Sequence, residues 1–104
     1  MKVSTRFIIA PLALVLSVAT INAFAYTGQN LAGQAKISLE QARAIALKAH
    51  PGKITDEELE KENGGSGLRY SFDIKHANAK TQEVGVDAVS GKILENDLEG
   101  ANPD

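Results

Sequence analysis

The strongest constraint on this chain is the alternation in Leu68, Tyr70, Phe72 and Ile74, separated by Arg69, Ser71, Asp73 and Lys75. An apolar residue at every second position puts all four side chains on one face of an extended strand, because successive side chains of a strand point to opposite sides. A second apolar stretch, Val84-Gly85-Val86-Asp87-Ala88-Val89-Ser90-Gly91-Lys92-Ile93-Leu94, follows after a short loop. It contains an Asp-x-x-x-Gly spacing suited to a tight turn. Together these segments predict an antiparallel meander with one buried face.

Upstream, Ser38 precedes Leu39, Ala42, Ile45, Ala46 and Ala49, which recur at helical spacing, with Glu40, Gln41, Arg43 and Lys48 mostly opposite. Ser38 and Gln41 are spaced for a capping box, each side chain reaching the other's backbone N–H. His50-Pro51-Gly52 should end the helix, since a residue before Pro is driven from the α region and Gly accepts positive φ. The small alanines let such a helix lie close against a flat sheet. A first strand over Ile54 to Glu62 needs a bulge, because Ile54 and Leu59 are an odd number of residues apart and would otherwise face opposite ways. Asn63 to Gly67 reads as a hairpin loop, Thr81 to Ala88 as a third strand and Lys92 to Glu95 as a short fourth. His76 to Lys80 turns the chain, with Asn78 suited to a left-handed conformation. The expected fold is α+β in two layers, one N-terminal helix packed on a three- to four-stranded antiparallel β-meander, with the other sheet face left to water.

The amino terminus carries the marks of export. Lys2 and Arg6 form a short basic region before an uncharged apolar run from Phe7 to Ile21, shorter than the roughly 20 residues a membrane span needs. Ala23-Phe24-Ala25 then supplies the small residues of a signal-peptidase site. Residues 1–25 are therefore expected to be a signal peptide cleaved between Ala25 and Tyr26, followed by a flexible leader over 26–36, a domain over 37–96 and a disordered acidic tail over 97–104. The product would be periplasmic or secreted, with no membrane association after cleavage. The chain has no Cys, so neither a disulfide nor a thiolate site is available to it. Its net charge of −2 becomes more negative once Lys2 and Arg6 are removed, which argues against nucleic acid as a partner.

No catalytic, cofactor-binding or metal-binding residue set is predicted, and the chain reads as a non-enzyme. The acidic run Asp56, Glu57, Glu58, Glu60 and Glu62 is expected to be a solvated sheet edge, where charges discourage edge-to-edge association. His50 and His76 lie in no ligand spacing. The serines lack a Gly-x-Ser-x-Gly elbow, and Gly64, Gly65 and Gly67 precede no helix, so hydrolase and phosphate-loop chemistry have no residues to carry them. Asp87 and Gly91 are assigned to turn chemistry, the carboxylate accepting backbone N–H groups and Gly91 taking positive φ.

In order, Ile37-Ser38-Leu39-Glu40-Gln41-Ala42-Arg43-Ala44-Ile45-Ala46, Pro51-Gly52-Lys53-Ile54, Leu59-Glu60-Lys61-Glu62-Asn63-Gly64, Tyr70-Ser71-Phe72-Asp73-Ile74 and the Val84 to Leu94 segment resemble a PepSY domain. Glu57 departs from the pattern, since similar domains often carry an apolar residue there. The resemblance implies a small non-catalytic module that binds a protein partner, either inhibiting or regulating a peptidase in trans or assisting folding as a pro-domain, with no family-wide catalytic or ligand residues to transfer. Two other classes compete with it. One is a metal- or ligand-responsive envelope sensor accessory using the acidic strand and His76; the other is a structural or oligomerising domain.

Overall fold

The computed structural model describes residues 25–100. The expected signal peptide lies outside the described residues except for Ala25, as do residues 101–104 of the expected tail. A 3-10 helix, Gln29–Gln34, is followed by helix α1, Leu39–Ala49, and by strands β1, Lys53–Lys61, β2, Leu68–Lys75, β3, Gln82–Asp87, and β4, Ile93–Leu98. The strands form one antiparallel sheet in the order β1-β2-β3-β4, and the helix covers one side of it. The fold is thus α+β, with four strands.

Local chemistry accounts for the helix ends. Ser38 Oγ accepts the Gln41 N–H at 3.0 Å, while Gln41 Oε1 accepts the Ser38 N–H at 2.8 Å, which satisfies two amides that the first turn leaves unpaired. His50, before Pro51, has left the helical region at φ −146°, and its N–H closes the last turn on the Ala46 carbonyl. Ala42 and Ala46 are both fully buried. Their lack of bulk brings the helix backbone down onto Tyr70, Phe72, Ile74, Val84 and Val86, which form the inner sheet face. The Tyr70 and Phe72 rings stack with centroids 6.5 Å apart, and the Tyr70 hydroxyl donates to the Ile37 carbonyl at 2.8 Å.

The required bulge in β1 is present. Register shifts between Ile54 and Asp56, so that Ile54 packs against the core and Leu59 is 1% exposed.

Three expectations are corrected. Residues 26–36 do not form a leader free of the domain. Thr27 bridges Glu58 in parallel and its carbonyl accepts the Leu59 N–H at 2.9 Å, while Tyr26, Leu31 and Ala35 pack on the core and the N–H groups of Lys36 and Ile37 share the Ala88 carbonyl. Gly28, at φ 86°, crosses so close to the Leu59 carbonyl that a Cβ there would collide with it. The fourth strand does not stop at Glu95. It runs to Leu98, and the Glu99 N–H still bonds the Thr81 carbonyl at 2.9 Å, so the start of the expected tail belongs to the sheet. Finally, the left-handed residue in the β2–β3 turn is Ala77, at φ 51°, rather than Asn78.

Candidate functional site

Two clusters gather the polar residues singled out in the sequence. The first is built on Asp87, at the end of β3 and 2% exposed. Its Oδ2 accepts the Ser90 N–H at 2.7 Å, the Ser90 hydroxyl at 2.9 Å and the Val89 N–H at 3.2 Å. These are the expected turn contacts, and Gly91, at φ 80°, closes the turn with its N–H on the Asp87 carbonyl. The second oxygen does something the local pattern could not announce. Oδ1 reaches across to the β1–β2 loop and accepts both the Ser66 N–H and the Ser66 hydroxyl at 2.8 Å. Burial alone would raise the Asp87 pKa, but the backbone and hydroxyl donors of Ser66 and Ser90 outweigh it and hold the carboxyl far below the usual carboxylate range. A carboxylate so fully engaged is a structural clasp between two loops, with Ser66 and Ser90 as its donors rather than as nucleophiles.

The second cluster is the outer sheet face. The acidic run divides according to the pleat. Glu57 turns to the helix side, where its two oxygens accept Arg43 Nε at 2.8 Å and Nη2 at 2.7 Å. A carboxylate is accommodated on the helix side of the sheet because Arg43 supplies a bidentate cation above it. Glu58, Glu60 and Glu62 share the opposite face, and they do not stand as an isolated edge. With Asp73 from β2, Glu83 from β3, and Glu95 and Asp97 from β4 they line a shallow hollow of about 440 Å³. Arg69 is the cation in that lining, and it is 8% exposed. Its Nη1 lies 3.4 Å from Glu95 Oε1 and 4.0 Å from Glu62 Oε2, its Nη2 donates to the Asn63 carbonyl at 3.1 Å, and its Nε is buried without a hydrogen-bond partner.

Gly85 makes room for that arginine. A Cβ there would stand 2.9 Å from Arg69 Cδ and 3.3 Å from Glu95 Cβ, so the bare backbone of β3 is what allows the side chain to lie flat across the sheet. The one cation does not balance the surface. Burial, followed by Glu60, Asp56, Asp73 and Glu62, raises the pKa of Glu58, and burial with Glu99 and Asp56 raises that of Asp73. The outer face is therefore an acidic, self-repelling concavity with polar walls, unlike the apolar pockets that take small ligands. Among the described residues no group of three or more His, Cys, Asp or Glu side chains is arranged to hold a metal ion. His76 follows the far end of β2, past Lys75, whereas Glu58 and Glu60 pair with Ser71 and Arg69, so the sheet does not bring them together.

The edges differ from one another. β1 is covered at Glu58 and Leu59 by the Thr27 segment, whereas among the described residues no strand pairs with the outer side of β4.

A single helix laid over a four-stranded antiparallel meander with a clasped final turn defines a small two-layer α+β class. Residues 36–97 match the family described as Peptidase propeptide and YPEB domain, and the chain belongs to this PepSY family. Searches of curated proteins and of solved structures return no match. The family is associated with peptidase propeptides and inhibitors, and its members are often secreted or periplasmic. No helix among the described residues is long and apolar enough to cross a membrane.

Proposed function

We propose that this chain is an exported, non-catalytic module that binds a protein partner and inhibits or regulates a peptidase in trans. The observation that carries the reading is the PepSY match across residues 36–97, which spans helix α1 and all but the last residue of the sheet. The site chemistry agrees with it. Asp87, Ser66 and Ser90 are occupied with one another, and the remaining polar surface is broad, shallow and charged, a shape suited to another protein rather than to a small substrate. Export follows from the charged, apolar and small-residue order of residues 1–25.

The test is to add the purified protein to peptidases of its own envelope or culture medium and follow substrate cleavage. A saturable change in rate supports the reading. Unchanged cleavage together with no protein retained on the immobilised chain would overturn it.

A further inference from the structure

The open β4 edge carries a recognition pattern that specifies its partner. Antiparallel strands alternate between residues that exchange both backbone hydrogen bonds and residues whose N–H and C=O point away from the neighbour. The Glu99 N–H bonds the Thr81 carbonyl, and the register pairs Glu83 with Asp97 and Gly85 with Glu95. Thr81 and Glu99 are therefore a bonded pair, as are the pairs two and four residues on. Asn96 and Leu98 fall between them, opposite Val84 and Gln82, and so direct their backbone N–H and C=O groups outward from the sheet.

The side chains add a second layer of information. Ile93 and Leu98 pair with Val86 and Gln82 and so lie on the helix side, yet they remain 39% and 49% exposed because one short helix does not reach over the edge. Glu95 and Asp97 lie on the other side, continuous with the acidic hollow. The Gly85/Val86 register shift ends the regular edge near Leu94, leaving Glu95 to Leu98 as the usable length.

We infer that β4 is the docking edge for an extended segment of a partner protein in which apolar residues alternate with Lys or Arg. Its backbone would pair with Asn96 and Leu98, its apolar side chains would cover Ile93 and Leu98, and its cations would face Glu95 and Asp97. Charge complementarity decides the occupant. A second copy added antiparallel through β4, centred on Asn96, would set Glu95 against Asp97 twice, and like charges directly opposite destabilise a strand pair. The same carboxylates that reject a copy select a basic strand. The other edge is unsuited, since Thr27 already takes the Leu59 N–H and Gly28 crosses the Leu59 carbonyl.

This inference rests on reading the chain as a protein-binding module, and its test separates the two. Acetylated eight-residue peptides alternating Val with Lys, or Val with Glu, are titrated into the isotope-labelled protein while backbone amide shifts are followed. Saturable shifts centred on Glu95 to Leu98 with the Val–Lys peptide alone are expected. Asn96→Pro removes an outward donor without touching the β3 ladder and should weaken binding about three- to tenfold, the scale of one hydrogen bond. Asp97→Lys should weaken the Val–Lys peptide and admit the Val–Glu one, and it decides the matter alone if Asn96→Pro does not fold. Absence of saturable binding, equal binding of both peptides, shifts centred on β1, or a dimer formed through β4 would each overturn the assignment. Inhibition of a peptidase equally by wild type and Asp97→Lys would overturn the edge assignment while leaving the proposed function standing. Binding of the peptide at β4 by a chain that affects no peptidase and retains no protein would do the reverse.

Discussion

Replacing Asp87 tests the clasp directly. In the folded protein its two oxygens accept five hydrogen bonds from Ser66, Val89 and Ser90, two of them short backbone contacts at 2.8 and 2.7 Å. Hydrogen bonds to a charged group contribute about 1.5–3 kcal/mol each when measured singly, but they share one acceptor here and are not additive. Ser66 and Ser90 are exposed, so their donors regain water when the carboxylate is removed. Counting the two backbone bonds near the lower end of that range gives a loss of about 3 kcal/mol for Asp87→Ala. A core of this size without disulfides supplies ~3–5 kcal/mol in total. The variant should therefore melt about 12 °C or more below wild type, at the limit of stable folding. Asp87→Asn keeps one acceptor while turning its amide toward the donors on the other side, and should lose about 2 kcal/mol.

The pH dependence is the sharper readout. The Asp87 carboxyl stays ionised in the folded state below the point, near pH 3.9, where it takes up a proton in the unfolded chain. Over that interval the unfolded state binds more protons, so stability falls as pH falls. The contribution is fully present at neutral pH and is lost progressively from about pH 5 downward. Urea titrations followed by circular dichroism between pH 2 and 7 should show this slope in wild type and a shallower one in Asp87→Asn. An Asp87→Asn protein within ~0.5 kcal/mol of wild type, or with an unchanged slope, would refute the clasp.

Two further outcomes follow from the outer face and the amino-terminal segment. Burial and the surrounding carboxylates raise the Glu58 pKa, so the folded state holds this proton more tightly and stability declines as pH rises through that raised value; Glu58→Gln should gain a few tenths of a kcal/mol at pH 7 and little at pH 4, read from urea midpoints. Gly28→Ala strains a backbone at φ 86° and drives a Cβ into the Leu59 carbonyl, so it should release the Thr27 bridge; cleavage within Gln29–Gln34 by limited proteolysis should accelerate severalfold while β2 and β3 amides keep their exchange protection.

Where the physics is local, residue spacing told most of the story. The Ser38–Gln41 capping box, the limits of β2, the bulge after Ile54 and the Asp87–Gly91 turn all depend on residues a few positions apart. Segments stabilised from a distance carry no such local signal. The stretch Tyr26 to Lys36 is rich in Gly, Gln and Asn and has no periodic apolar face, yet it is held by Leu59 and Ala88, far away in the chain. Asn96 to Leu98 has a polar composition, and it is a strand because β3 offers it a ladder. The candidate site was the least legible part. Nothing near Arg69 announces that Gly85 will leave it room to lie across the sheet, and nothing near Glu57 announces Arg43.

By itself, the order of amino acids determined a capped amphipathic helix, an antiparallel meander, its final turn and the family to which they belong. Periodicity and turn chemistry act over a few residues, so they can be read before the chain is folded. The tertiary structure alone decided which carboxylates share a face, which edge is covered and which stays open, and that Asp87 joins two loops. These depend on sheet register and on contacts between segments remote in sequence, where moving a strand by one residue would turn every side chain to the other face.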